Sequence, residues 1–175
     1  GLSGGNHPTL VLDRAQFINN LWIDVKASLA NGSGVDGRAF TVLSNADNVT
    51  IEHNTVINTG HADVNTVGNP PSGFTFRNNI VHGDAASGLA PGDPTLLAAY
   101  AAPSIWKNNI LIGAQGTYAE LSSGRDHTGN RTDFTSYSEA GFVDLSGGDY
   151  HLLAGSWGDN RGTDGKDIGA DVDAI

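Results

Sequence analysis

The sequence predicts an all-β fold built as a three-sided parallel solenoid, a β-helix, and three observations predict it. Four short segments share one signature: a β-rich stretch, a single or paired asparagine, then a second apolar stretch. They are Phe17-Ile18-Asn19-Asn20-Leu21-Trp22, Ile51-Glu52-His53-Asn54-Thr55-Val56, Phe76-Arg77-Asn78-Asn79-Ile80-Val81 and Trp106-Lys107-Asn108-Asn109-Ile110-Leu111. Their second asparagines fall at 20, 54, 79 and 109, spaced by 34, 25 and 30 residues. A pattern that repeats within 20–50 residues while its length varies marks stacked units with insertions between them. The composition agrees: 24 glycines and 16 asparagines with 38% hydrophobic residues suit a thin, continuous core with many corners.

Each element has a local reason. Thr9-Leu10-Val11-Leu12 reads as a strand, and Ala15 to Ile23 as a strand pair broken at Asn19-Asn20. Gly32 to Gly37 is a turn-rich loop. Ala39–Leu43, Val49-Thr50-Ile51 and Thr55-Val56-Ile57 are short strands separated by tight corners, as one coil requires. Phe74-Thr75-Phe76 with Ile80-Val81-His82, and Ser104-Ile105-Trp106 with Ile110-Leu111-Ile112, repeat the pattern. The corner needs a residue in the left-handed region, which asparagine tolerates best among residues bearing a Cβ. Rungs stacked about 4.8 Å apart let equivalent amides hydrogen-bond in a column, so Asn20, Asn54, Asn79 and Asn109 are expected to form a ladder. Alternation places Phe17, Ile51, Phe76, Trp106, Val49 and Phe74 inside, with Ile18, Glu52, Arg77 and Lys107 as an outward column.

Residues 1–140 are thus expected to hold the coils, with insertions at 84–103 and 113–140. In the first, Asp93 and Pro94 open Thr95-Leu96-Leu97-Ala98-Ala99-Tyr100, a short-helix start over 93–101. In the second the pattern dissolves into Gly, Ser, Thr and Asp. Residues 141–175 are expected to form a terminal coil and C-terminal cap.

Charge bounds the partners. With 19 acidic and 9 basic residues the net charge is −10, a field that repels phosphate backbones, so no nucleic-acid partner is expected. No apolar run approaches the roughly 18 residues of a membrane span. The chain has no cysteine, hence neither disulfides nor thiolate metal sites. It also has no methionine and no leader pattern at Gly1, which leads us to expect a processed or excised product. The acidic, cysteine-free, Asn/Gly/Thr-rich composition points to an extracellular or cell-surface address.

Asn48-Val49-Thr50-Ile51-Glu52-His53-Asn54-Thr55-Val56 and Phe74-Thr75-Phe76-Arg77-Asn78-Asn79-Ile80-Val81 resemble the coils of right-handed parallel β-helix proteins of the pectate-lyase-like superfamily. Gly141-Phe142-Val143-Asp144, Gly148-Asp149-Tyr150-His151-Leu152, Gly155-Ser156 and Asp167-Ile168-Gly169-Ala170-Asp171 are similar to the closing segment of bacterial members. Trp157-Gly158 stand where many members carry a proline. The resemblance covers most of residues 9–175 and implies a right-handed solenoid of about five coils. It implies no single chemistry, because members include polysaccharide lyases, glycoside hydrolases, epimerases and secreted proteins without catalysis. No catalytic motif matches residue by residue. The short, polar Gly1–Pro8 offers no cap for the first coil, so upstream coils or another copy are expected to cover that end.

Several constellations could carry chemistry. His61-Ala62-Asp63 and His82-Gly83-Asp84 each follow a third strand, so His61, Asp63, His82 and Asp84 could supply an acid/base pair or bind a cation. Two solvated turns rich in Gly, Asp and His are the favoured account of them. Arg125-Asp126-His127 holds three reactive types, but neighbours on an extended chain face opposite ways. Arg77 and Lys107 could contact a uronate, or simply form a solvated column. Trp157 is the tryptophan expected to be free for stacking on sugar, since Trp22 and Trp106 occupy core positions. In the tail, Asp159, Asp164, Asp167, Asp171 and Asp173 could ligate Ca²⁺, with Asp164, Asp167 and Asp171 the chief candidates. Their spacing matches neither the EF-hand nor the calcium-binding nonapeptide, and a solvated acidic cap explains them too.

The functional expectation is a secreted, carbohydrate-associated module that binds polysaccharide without a recognisable catalytic site. A polysaccharide lyase or glycoside hydrolase of the pectate-lyase-like fold is one alternative, and a structural or adhesive surface protein that could stack into filaments is the other.

Overall fold

The computed structural model describes residues 12–25, 38–43, 46–58, 64–67, 72–83, 104–113, 125–126 and 128–175. Residues 9–11 of the expected first strand, the expected loop at 32–37 and the expected helix over 93–101, together with His61, Asp63, Asp84 and His127, lie outside the described residues.

The chain climbs in rungs. The first holds β1 (Leu12–Asp13), β2 (Gln16–Ile18) and β3 (Leu21–Val25). The second holds β4 (Phe40–Leu43), β5 (Ala46–Asp47), β6 (Thr50–Glu52) and β7 (Thr55–Asn58). Then come β8 (Val64–Val67), β9 (Phe74–Arg77) and β10 (Ile80–His82), and next β11 (Ser104–Lys107) and β12 (Ile110–Ile112). The two-residue β13 (Arg125–Asp126) follows. Equivalent strands pair side by side: β13-β11-β9-β6-β2 in one sheet, β12-β10-β7-β3 in another, with β4-β8 and β1-β5 beside them. All pairs in these sheets are parallel. Parallel neighbours demand a crossover rather than a hairpin between them, which makes the arrangement compatible with a β-helix. Among the described residues no helix is long and apolar enough to cross a membrane.

The expected register holds. Phe17, Ile51, Phe76 and Trp106 stand in one row and Ile18, Glu52, Arg77 and Lys107 in the next. The first row points inward, where Ile51, Phe76 and Trp106 are buried with Val49, Phe74, Val56, Val81 and Leu111. Phe74 and Phe76 pack against Trp106 with ring centroids 5.2 and 4.8 Å away, so neighbouring rungs are joined through aromatic contacts.

The ladder also forms, with two refinements. Asn20 Nδ2 donates to Asn54 Oδ1 at 2.9 Å, Asn54 to Asn79 at 3.0 Å and Asn79 to Asn109 at 3.1 Å. Asn109 in turn donates to Asn130 at 2.8 Å. Asn130 is therefore a further rung inside the stretch where the sequence pattern dissolves, and β13 and an Ile110–Arg131 bridge flank it. The second refinement divides the labour at each corner. The left-handed conformation belongs to the residue before the ladder: Asn19, His53, Asn78 and Asn108 have φ of 56, 50, 57 and 52°, and Gly129 has 72°. The ladder asparagine instead spends its amide on neighbours. Asn54 Nδ2 also reaches Phe17 O and Glu52 O, while its Oδ1 accepts from Asn20 N and Nδ2. Every polar atom of this buried amide is satisfied, which makes its burial tolerable.

Residues 141–175 add no parallel rung. β14 (Phe142–Asp144) and β15 (Asp149–Leu152) pair antiparallel, because Asp144 Oδ1 accepts from Gly147 N and Ser146 Oγ and folds the chain back. This region lies against the outer face of the β12-β10-β7-β3 sheet. Ile80, Ile110 and Ile112 on that sheet are buried with Ala140, Phe142 and Ile168, and Phe134, Leu152 and Trp157 pack around them. The cap covers a flank of the stack.

Candidate functional site

The left-handed corner residues point their side chains outward, and the C-terminal strap, residues 158–173, runs along them. Asn108 Nδ2 donates to Arg161 O at 2.6 Å. Asn78 holds Thr163 from both sides, Nδ2 donating to Oγ1 and Oδ1 accepting from N, each at 2.9 Å. Asn19 Oδ1 accepts from Asp171 N at 2.6 Å. Between them, His53 Nδ1 lies 3.1 Å from Gly169 O and Nε2 lies 3.2 Å from Asp164 Oδ2. A carbonyl only accepts, so Nδ1 carries a proton. Nε2 then accepts from Asn78 Nδ2 at 3.0 Å when the ring is neutral, or donates to Asp164 when it is charged.

Two cavities flank this contact, of about 340 and 320 Å³. Both are lined by His53, Lys166 and Asp171; the first adds Tyr150, His151, Leu152 and Asp173, the second Glu52, Asn19 and Asp164. Burial works against ionisation of Asp164, but the Lys166 N–H and the His53 ring outweigh it and leave its carboxyl below the usual range. His151 faces carboxylates with both nitrogens, Asp149 at 2.6 Å and Asp173 at 3.3 Å. Its hydrogen bonds to Asp149, then to Asp173, raise its proton affinity above the usual 6.5, and the same contact lowers Asp149. Carboxylates on the rim of both cavities disfavour an anion there and suit a hydroxyl-rich or cationic ligand.

The other candidates are dispersed. Arg77 makes a two-pronged ion pair with Glu52, 2.8 and 3.0 Å, one rung away, and Lys107 follows it in register. His82 ends β10 and stacks near Tyr137, centroids 6.5 Å apart. Trp157 is half-buried, with the Arg161 and Arg131 guanidiniums 5.1 and 5.6 Å from its ring. The tail aspartates take separate partners: Asp164 His53, Asp167 the Asn160 N–H, and Asp171 Lys166 Nζ at 3.7 Å. Among the described residues no three His, Asp or Glu side chains are grouped to hold a metal ion.

Sequence reasoning missed His53, His151 and Lys166. The strap contacts join residues 53 to 152 positions apart, and no local spacing announces a pairing of that span. The one available signal was His53 replacing asparagine in the corner column. Comparison with protein-family models, curated proteins and solved structures gives no match.

Proposed function

We propose that the chain is a secreted, carbohydrate-associated module of the right-handed, pectate-lyase-like β-helix kind, which binds polysaccharide along its flank without cleaving it. The observation that supports this reading is the outward face of the β13-β11-β9-β6-β2 sheet. Its rows run Gln16, Thr50, Thr75, Ile105 and Ile18, Glu52, Arg77, Lys107, all at least partly accessible to solvent. Strand spacing of about 4.8 Å repeats hydrogen-bonding groups and short apolar surfaces along the axis, a periodic surface on which a polymer of hydroxylated rings can lie. Specificity would rest on side chains that donate and accept at fixed intervals, Arg77 and Lys107 foremost.

Titration of the purified chain with soluble plant and microbial glycans tests it. Binding of at least one polymer, weakened about tenfold or more by Arg77→Ala with Lys107→Ala, is expected. No binding across neutral, acidic and amino-sugar polymers would remove the reading. Release of shortened chains from a bound glycan would replace binding by lyase or hydrolase action.

A further inference from the structure

We propose that the edge of the stack formed by β2 and β3 is a docking surface for one more parallel β-coil, carried by another stretch of polypeptide with an asparagine in register below Asn20, on the side away from Asn54. Three observations meet at this edge. The ladder is directional, so each Oδ1 accepts from the backbone N–H and Nδ2–H of the preceding rung: Asn54 from Asn20, Asn79 from Asn54, Asn109 from Asn79, Asn130 from Asn109. Among the described residues Asn20 Oδ1 accepts from no such pair, and its Nδ2 finds no counterpart of the lower-rung carbonyls Phe17 O, Ile51 O and Phe76 O that Asn54, Asn79 and Asn109 reach. Second, Thr50 N and Thr55 N donate to Ala15 O and Asn20 O one rung below. Gln16 and Leu21 stand in register with Thr50 and Thr55, and among the described strands the sheet order leaves β2 and β3 at the ends of their sheets. Third, the core is less covered here. Leu12, Phe17 and Trp22 are only partly buried, whereas their register partners Ala46, Ile51 and Val56 are fully buried.

The chemistry selects the occupant. Two donors converging on Asn20 Oδ1, with carbonyls facing Gln16 N and Leu21 N, are what a parallel rung bearing asparagine presents. Antiparallel pairing would reverse the strand and lose that register. A second copy would bring another charge of −10 against the first. Apolar residues below Phe17 and Trp22 would complete the core at this end.

A synthetic peptide of the second rung, Ala46 to Asn58, is the probe. Added to the whole chain, it should slow amide exchange at Gln16 and Leu21 by about tenfold or more and shift the Asn20 side-chain amide resonance. The same peptide with Asn54→Ala should lose both effects. Equal effects from both peptides, or none at millimolar peptide, overturn the proposal. So does a concentration-dependent dimer of the chain alone that protects the same amides, which would make a second copy the occupant. Glycan titration reads a different face, so loss of either result leaves the other standing.

Discussion

At the residue scale, the ladder asparagines do work that no other side chain can. Asn79 is buried and bridges two rungs: its Nδ2 reaches Ile51 O and Asn109 Oδ1, and its Oδ1 accepts from Asn54. Alanine there orphans several groups, each costing about 1–3 kcal/mol when buried. We expect Asn79→Ala to lose on the order of 3 kcal/mol in urea unfolding. Asn79→Asp should do worse at neutral pH, because a carboxylate would face two acceptor oxygens. An unchanged midpoint for either variant would contradict the ladder's role. The exposed His151 makes a separate prediction. Its folded-state affinity is raised, so its contribution is complete below the usual 6.5 and fades as pH climbs through the raised value. Asp149 is lowered, so its contribution exists above 3.8 and disappears as pH falls through the lowered value. The melting-temperature gap between the native chain and His151→Gln should be widest between 3.8 and 6.5 and narrow on both sides. A gap that widens above pH 8 would refute this pairing.

At the element scale, the strap depends on one backbone position. Gly169 has φ +97°, and a Cβ there would meet Thr55 Oγ1 at 2.6 Å and Ile80 Cδ1 at 2.8 Å. Gly169→Ala therefore combines a disfavoured conformation with overpacking, roughly 1–3 kcal/mol. Amide exchange should accelerate across residues 158–171 while the ladder amides stay protected; uniform acceleration of both would mean strap and stack unfold as one. The rungs were legible in the sequence because their causes are local. An asparagine pair fixes a corner, and the inward residue recurs two positions before the corner pair. The strap was not legible, because the cues it reads are side chains already displayed by folded corners. Asn130 escaped for a related reason: its neighbour is Gly129 rather than asparagine, and no apolar strand announces it. His53 stands where the other corners carry asparagine, and its ring is the contact that holds Asp164 and Gly169.

At the scale of the whole molecule, the surplus of carboxylates sets the response to salt. A chain of charge −10 repels itself when compact, and screening shortens that repulsion to about 10 Å at 0.1 M salt. The melting temperature should rise between low and moderate NaCl, and a steady fall would show that attractive pairs such as Arg77–Glu52 outweigh the repulsion. The amide column has a polarity of its own. Every carboxamide in it is oriented alike, hydrogens toward Asn130 and oxygen toward Asn20. Hydrogen-bonded dipoles aligned in series polarise one another, so the column behaves as a small electret with its negative pole at Asn20. That oxygen is thereby a stronger acceptor than an isolated surface amide, and its strength is set in part by residues as distant in the chain as Asn130.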